Sequence, residues 1–313
     1  MRAGRLVRSR RGVPLAWLAA AVLAAATASS IRVVWKMDQL THPPRVPVPS
    51  LAEAPELEGF REVLFEAADG TRLSGWWAPS ANGAAVVLAH GRGANREQML
   101  PQAQMLRSSG FGVLVFDLRA HGKSGGERCT YGDREWQDVS AAIGVASGEP
   151  GVDPNRIGAV GFSLGALALS TAAARDPRLR AVVLEAGAAS LEELLRHDFA
   201  SRWPFSSTLA VAAARLLGIR VDEVRPLHRL REMGQRPLLL VYGERDETIP
   251  PAVGERMRAA AGGAAELFVV PNGRHGGWEK AAPNELKARL RGFFERTLRE
   301  APALPLARDQ RPR

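Results

Sequence analysis

The pentapeptide Gly161-Phe162-Ser163-Leu164-Gly165 constrains this chain more than any other stretch. A short apolar run, Arg156-Ile157-Gly158-Ala159-Val160, leads into it, and an Ala- and Leu-rich run from Ala166 to Ala174 follows. The pattern predicts a buried strand, a very tight turn and a helix. Glycines at its two ends lack Cβ atoms, so strand and helix can close around a strained central residue. Such a turn lifts the Ser163 hydroxyl above the sheet edge, at the N-terminus of the helix. There the free backbone N–H of Leu164 and the positive end of the helix dipole face any developing oxyanion. The same residues would also serve as an ordinary strand-to-helix turn, so the surrounding pattern has to decide.

From residue 84 the chain alternates apolar runs with helical stretches. Strands are expected at Ala84–Ala89, Gly112–Phe116, Arg156–Val160, Ala181–Leu184, Pro237–Val241 and Leu267–Val270. Helices are expected at Glu97–Ser108, Gly132–Ala146, Leu164–Ala174, Ala252–Ala261 and, as one long terminal element, Glu279–Arg299. Uninterrupted apolar strands between helices imply an α/β fold whose mostly parallel sheet is covered on both faces. A hairpin, Glu62–Glu66 with Leu73–Trp77 around Ala68-Asp69-Gly70, precedes it. Residues 187–234 interrupt the alternation with helical fragments at Leu191–Phe199 and Leu209–Leu217 and the aromatics Phe199, Trp203 and Phe205. An insertion at the carboxyl side of the sheet would roof the site as a small helical lid; the bland alternative is a decorated crossover. Its aromatics favour an apolar acyl pocket.

The 313 residues suffice for one large domain with appendages. A net charge of +9 raises nucleic acid or an anionic membrane as partners. Arg2, Arg5, Arg8, Arg10 and Arg11, however, sit before the first apolar run, and Arg308, Arg311 and Arg313 sit in the tail 301–313, so the excess is not patterned for readout. No basic stripe is interleaved with aromatics, so nucleic-acid binding is not expected. Gly12 to Ile31 carries no charge, which is the length a helix needs to cross roughly 30 Å of hydrocarbon. Ala26-Thr27-Ala28 also has the small-x-small form of a signal-peptidase site. An uncleaved signal anchor, a cleaved signal peptide and a buried helix of the soluble domain therefore compete. Apolar residues continuing through Ile31, Val33, Val34 and Trp35 favour a membrane anchor over residues 1–35, with the arginines cytoplasmic and the catalytic domain extracytoplasmic. Cleavage would export the domain as a secreted protein. Residues 36–58, with five prolines, read as a semi-extended tether ahead of a domain at 59–300. The single Cys129 rules out an intrachain disulfide and reads as structural.

Four loops are expected at the carboxyl ends of the strands, where open α/β sheets bind ligands. His90-Gly91-Arg92-Gly93 can offer the Arg92 backbone N–H as a second oxyanion donor beside that of Leu164; a phosphate loop would need the Lys-Ser/Thr that is missing. His90 reads as a hydrogen-bonder that fixes this loop. In the second loop Asp117, Arg119 and His121 read as structural, with no further ligand at metal spacing. In the third, Asp246 is preferred over Glu244 and Glu247 as the carboxylate that orients an imidazole, with Glu244 in reserve. The fourth, Asn272-Gly273-Arg274-His275-Gly276-Gly277, carries the only histidine downstream of that carboxylate. The order Ser163, Asp246, His275 suits an alcohol activated by a base that a carboxylate holds in one tautomer.

Taken together, these motifs over about residues 60–300 resemble the α/β-hydrolase superfamily. More narrowly, the hydrophobic N-terminus, Thr41-His42-Pro43-Pro44 and the hairpin from Asp69 to Trp77 resemble its bacterial, N-terminally membrane-anchored serine hydrolases. The resemblance implies an eight-stranded sheet with one antiparallel strand, a Ser163/Asp246/His275 triad, no cofactor and no metal. It further implies hydrolysis of carboxylic esters or related acyl bonds on a small-molecule acyl substrate. A serine aminopeptidase-like peptidase and a non-catalytic binding protein are the competing readings. A peptidase needs an anchor for a free amine, and the insertion offers only Glu192, Glu193 and Asp198.

Overall fold

Successive side chains of a strand point to opposite faces, so a strand that is apolar throughout must be covered twice. That condition holds along the middle of this chain. The computed structural model describes residues 15–200 and 205–299; the N-terminal arginines, Trp203 and the tail 301–313 lie outside them. After a long helix α1 (Leu15–Thr41) come strands β1 (Arg61–Glu66), β2 (Arg72–Ala78) and β3 (Ala85–Ala89). Helix α2 (Leu100–Ser108), β4 (Gly112–Phe116), α3 (Glu135–Gly148), β5 (Ile157–Phe162), α4 (Leu164–Arg175) and β6 (Leu179–Glu185) follow. The insertion supplies α5 (Leu191–Asp198), α6 (Ser206–Leu216) and α7 (Pro226–Glu232). Strand β7 (Leu238–Gly243), α8 (Pro251–Ala261), β8 (Ala265–Val270), α9 (Trp278–Ala281) and α10 (Pro283–Phe294) complete the order.

The eight strands form one sheet in the order β1-β2-β4-β3-β5-β6-β7-β8. Strand β2 is antiparallel to both β1 and β4, and all other pairs are parallel, so a single strand runs against the rest. One face buries Val87, Leu114, Ala159, Val182 and Leu240 with Ile143 of α3, Leu167 of α4 and Met257 of α8. The other buries Val86, Val115, Val160, Val183 and Leu239 with Leu106 of α2 and Leu290 and Phe293 of α10. Each such Val, Leu, Ile, Met or Phe side chain stabilises the fold by about 1.5–3 kcal/mol, before the cost of ordering it.

Three elements differ from the sequence expectation for local reasons. The helix expected from Gly132 starts at Glu135, because the Glu135 carboxylate accepts from the N–H groups of Thr130 and Gly132 and from the Thr130 hydroxyl, at 2.6–2.7 Å. That ties the preceding residues into a turn. The expected terminal helix is divided at Pro283, which lacks an N–H and is accommodated only at the start of a new helix. The stretch from Glu97 opens as a 3₁₀ turn, Arg96–Met99, before α2.

Residues 36–58 are not a free tether. Helix α1 continues to Thr41, with Met37 and Thr41 buried, and Val48, Ala54 and Leu57 are buried beyond it. Arg45 spreads its guanidinium over the carbonyl groups of His121, Gly122, Ser124 and Gly126, and Asn95 donates to the Pro47 carbonyl at 3.0 Å. Between α1 and the 3₁₀ turns at Leu51–Glu53 and Pro55–Leu57 the chain forms no regular element, and these side-chain bonds strap it down.

Candidate active site

Ser163 sits between β5 and α4 at φ 50°, ψ −106°, a backbone conformation that a side chain rarely tolerates. The glycines on either side permit it. A Cβ on Gly161 would stand 2.4 Å from the Gly165 carbonyl oxygen, and one on Gly165 2.2 Å from that of Ala89. Backbone bonds then fix the turn from both neighbouring strands: Ser163 N–H donates to Glu185 O at 2.8 Å and Gly165 N–H to His90 O at 3.1 Å. Leu164 is the first residue of α4, so its N–H has no acceptor within the helix.

His275 and Asp246 come from loops after β8 and β7 that are joined to each other. Arg245 N–H donates to Gly273 O at 2.7 Å, and a Cβ on Gly243 would lie 2.5 Å from the carbonyl oxygens of Gly273 and Arg274. His275 Nε2 is 3.1 Å from Ser163 Oγ, and His275 Nδ1 is 2.8 Å from Asp246 Oδ2. The Asp246 carboxylate is buried, and its Oδ1 accepts from the N–H groups of Thr248 and Ile249 at 2.9 and 2.8 Å. With the carboxylate accepting from Nδ1–H, Nε2 is left to accept from the serine hydroxyl. Glu244, the reserve carboxylate, instead accepts from Asn272 N–H at 2.8 Å and so helps hold the histidine loop.

The loop with Arg92 is fixed from behind. Buried His90 donates from Nδ1 to Gly91 O at 2.7 Å and accepts at Nε2 from Leu118 N–H at 3.0 Å. His121 accepts at Nε2 from Gly93 N–H at 3.0 Å while its Nδ1 faces Arg119 O at 2.8 Å. Burial, aided by His121, pushes His90 down to about 4, and burial also lowers His121, so both are neutral supports. Asp117 and Arg119 lie beneath them. The Arg96 guanidinium is 2.7 Å from Asp117, with both side chains fully buried; burial pulls this carboxyl up, but the Arg96 bond and charge outweigh it and hold it below the usual range. Arg119 bridges Asp138 and Asp69 at 2.6 and 2.7 Å. Cys129 is buried, which pushes its thiol up. Among the described residues no three His, Cys, Asp or Glu side chains converge as a metal site.

Ser163, Leu164, Arg92 and His275 open into one cleft of about 920 Å³, counting its mouth. Its other walls are Gly91, Gln98, Tyr131, Phe162, Leu167, Leu194, Asp198 and Thr248. Leu194 and Asp198 belong to α5, so the insertion does stand over the serine. Of its aromatics, the two among the described residues do not line the cleft: Phe199 is buried in the core and Phe205 is exposed. Several wall residues escape sequence reasoning. Gln98, whose side-chain oxygen accepts from Gly91 N–H at 2.7 Å, sits in an unremarkable polar turn, and Tyr131 gives its φ of 57° no warning in the sequence.

A comparison with known proteins decides the family. The prolyl oligopeptidase family (Peptidase_S9) matches residues 96–301, most of the chain. An uncharacterized protein of Mycobacterium tuberculosis is 30% identical over 283 residues, covering 88% of this chain and 94% of its own.

The chain belongs to the prolyl oligopeptidase family.

Further relatives and structural neighbours bracket it. The uncharacterized Escherichia coli protein YfhR is 29% identical over 71% of this chain and 75% of its own. Among solved structures, the esterase Pf2001 of Pyrococcus furiosus is 27% identical with a TM-score of 0.70, covering 83% of this chain and 98% of that one. This family member is thus an α/β-hydrolase enzyme, and its reaction class is hydrolysis by a serine hydrolase of that fold. Its N-terminal apolar helix is of the kind found in membrane anchors and signal sequences.

Proposed function

We propose that the protein hydrolyses carboxylic esters through Ser163, His275 and Asp246 and an acyl-enzyme intermediate. The observation that carries this reading is the hydrogen-bonded line from Ser163 Oγ through His275 to the buried Asp246. Ser163 Oγ attacks the ester carbonyl carbon as His275 Nε2 takes its proton. The tetrahedral oxyanion is held by the N–H groups of Arg92 and Leu164. Collapse breaks the bond to the leaving alkoxide, which takes the proton from His275 and departs as the alcohol. A water then attacks the acyl-serine with His275 as base, releasing the carboxylic acid and restoring the serine. Asp246 keeps the imidazole in the productive tautomer and stabilises the imidazolium. Removing one oxyanion donor of this kind typically costs about 2.7–4 kcal/mol of barrier.

The substrate is a small acyl ester with an apolar acyl group, since Leu164, Leu167, Leu194 and the Tyr131 ring wall the cleft. The esterase among the structural neighbours favours the same bond type. The family's name favours a second reading, a peptidase; a serine aminopeptidase-like one would need an anchor for a free amine, for which Asp198 is the available carboxylate in the cleft. Glu192 and Glu193 are engaged with Arg196 and Arg256 at 2.8 Å. Helix α1 acts as an uncleaved anchor that keeps the domain on the extracytoplasmic side.

A p-nitrophenyl ester series of increasing acyl length, run beside aminoacyl-arylamides, tests the reading. Ester turnover that disappears in Ser163→Ala is expected. Arylamide turnover without ester turnover would transfer the assignment to the peptidase.

A further inference from the structure

The anchor helix and the cleft are closer than the sequence suggests. Along α1 the residues with reduced exposure are Ala26, Ser29, Ser30, Val33, Met37, Leu40 and Thr41, with Asp38 beside them. Their three- and four-residue spacing marks one helical stripe, and α6 is the helix on which α1 packs. Val33 and Met37 share a core with Leu195 and Phe199 around α5 and with Ala210, Val211, Ala213 and Ala214 of α6. Lys36 Nζ donates to the Asp198 carbonyl at 2.8 Å and lies 4.4 Å from the Phe199 ring centre. Helix α5 is therefore gripped by α1 at its C-terminus while Leu194 and Asp198 face the cleft.

The register of α1 against a bilayer follows from its length. Trp17 and Trp35 are both exposed, and 18 residues of helix separate them by roughly 27 Å, close to the hydrocarbon thickness of about 30 Å. Tryptophans at that separation suit the two membrane interfaces. The charge-free run ends at Ile31. By either measure the docked stripe begins, at Ala26, within the depth of the membrane. Helix α6 is then drawn to the bilayer surface, and Phe205, which caps its start, and Leu216, its last residue, are 67% and 88% exposed. Large apolar side chains so exposed, on a helix packed beside an apolar anchor, have a lipid environment available to them.

We propose that α6, through Phe205 and Leu216, is seated in the bilayer interface beside α1, so that the cleft walled by α5 takes amphiphilic esters from lipid rather than from water. This rests on the reading of α1 as an uncleaved anchor and of the cleft as an esterase site. The domain sits flush on the membrane, and the strap 36–58 holds it there.

The test uses the full chain in phosphatidylcholine vesicles, with an environment-sensitive fluorophore on a cysteine introduced at Phe205, Leu216 or Lys287. Buried Cys129 does not compete for the label. Lys287 is on α10, whose Leu286 and Leu290 pack on the sheet face opposite the one that Val33 and Met37 of α1 join, and serves as the control. Quenching by lipids spin-labelled near the headgroup is expected at Phe205→Cys and Leu216→Cys and not at Lys287→Cys. No quenching at the first two, in protein that floats with the vesicles, would overturn the proposal. A double variant, Phe205→Ser with Leu216→Ser, should lose about tenfold in hydrolysis of a long-chain ester embedded in vesicles while keeping its rate on a soluble short-chain ester. Equal loss on both, or none on either, counts against it. A wild-type protein inactive on the soluble ester would sink the esterase reading instead, and the quenching result would still stand on its own.

Discussion

The rim that carries Ser163, Asp246 and His275 is fastened by backbone, whereas the cover made of α1, α5 and α6 is fastened mainly by side chains. On the rim, Ser163 and Gly165 donate into the neighbouring strand and loop, and Arg245 into the histidine loop, while glycines at 161, 165 and 243 admit no Cβ. In the cover, small residues of α6 such as Ala210, Ala213 and Ala214 share a core with Val33 and Met37 of α1, with Lys36 as a polar pin. Backbone contacts survive most substitutions; side-chain contacts change with every one. On the proposed esterase reading, the rim carries the chemistry and the cover the choice of substrate.

The largest expected effect is on the rim. His275→Ala should lower kcat by on the order of 10⁶-fold with stability little changed, measured on a short soluble ester beside a thermal melt. Asp246→Asn should cost about 10⁴-fold, because an amide does not enforce the same imidazole tautomer. A loss under tenfold in either variant would break the comparison by showing that the rim does not carry the chemistry.

Beneath the rim the expected loss is of stability. Arg96→Met leaves the buried Asp117 carboxylate without its cation and should destabilise the protein by about 3–5 kcal/mol, read from denaturant midpoints. Acid should act at the same level through His90. The folded state holds this ring neutral down to about pH 4, while an unfolded histidine takes up a proton near 6.5. Stability is thus undiminished by this group above 6.5, falls as the pH drops from 6.5 toward 4, and His121 shifts in the same direction. A melting temperature that rises on acidification through that window would contradict the assignment of neutral supports. The smallest effect belongs to the cover: Lys36→Met should cost no more than about 1 kcal/mol, yet alter the preference among acyl chain lengths. A change in chain-length preference without a change in kcat on the shortest ester would sharpen the division.

What could be read from the sequence follows the same division. The strands and the three rim loops are legible because apolar runs and glycine-flanked polar residues have local causes. The preference for Asp246 over Glu244 is legible only in part, since the bond from Asn272 to Glu244 joins segments 28 residues apart. Arg96 gives no signal: its partner Asp117 is identifiable, but nothing local says which cation will reach it. The packing of residues 36–58 is equally silent, because a proline-rich stretch has no periodicity and its attachment depends on Arg45 meeting the carbonyls of a distant turn. The divided terminal helix could have been read from Pro283 alone.

The central claim is that Ser163 is an activated nucleophile. Intact-protein mass spectrometry after treatment with a fluorophosphonate probe measures this directly. One adduct per chain, mapped to the peptide containing Ser163 and lost in Ser163→Ala and His275→Ala, is the expected result. Folded wild-type protein that takes up no probe, or a Ser163→Ala variant that is still modified, would contradict it.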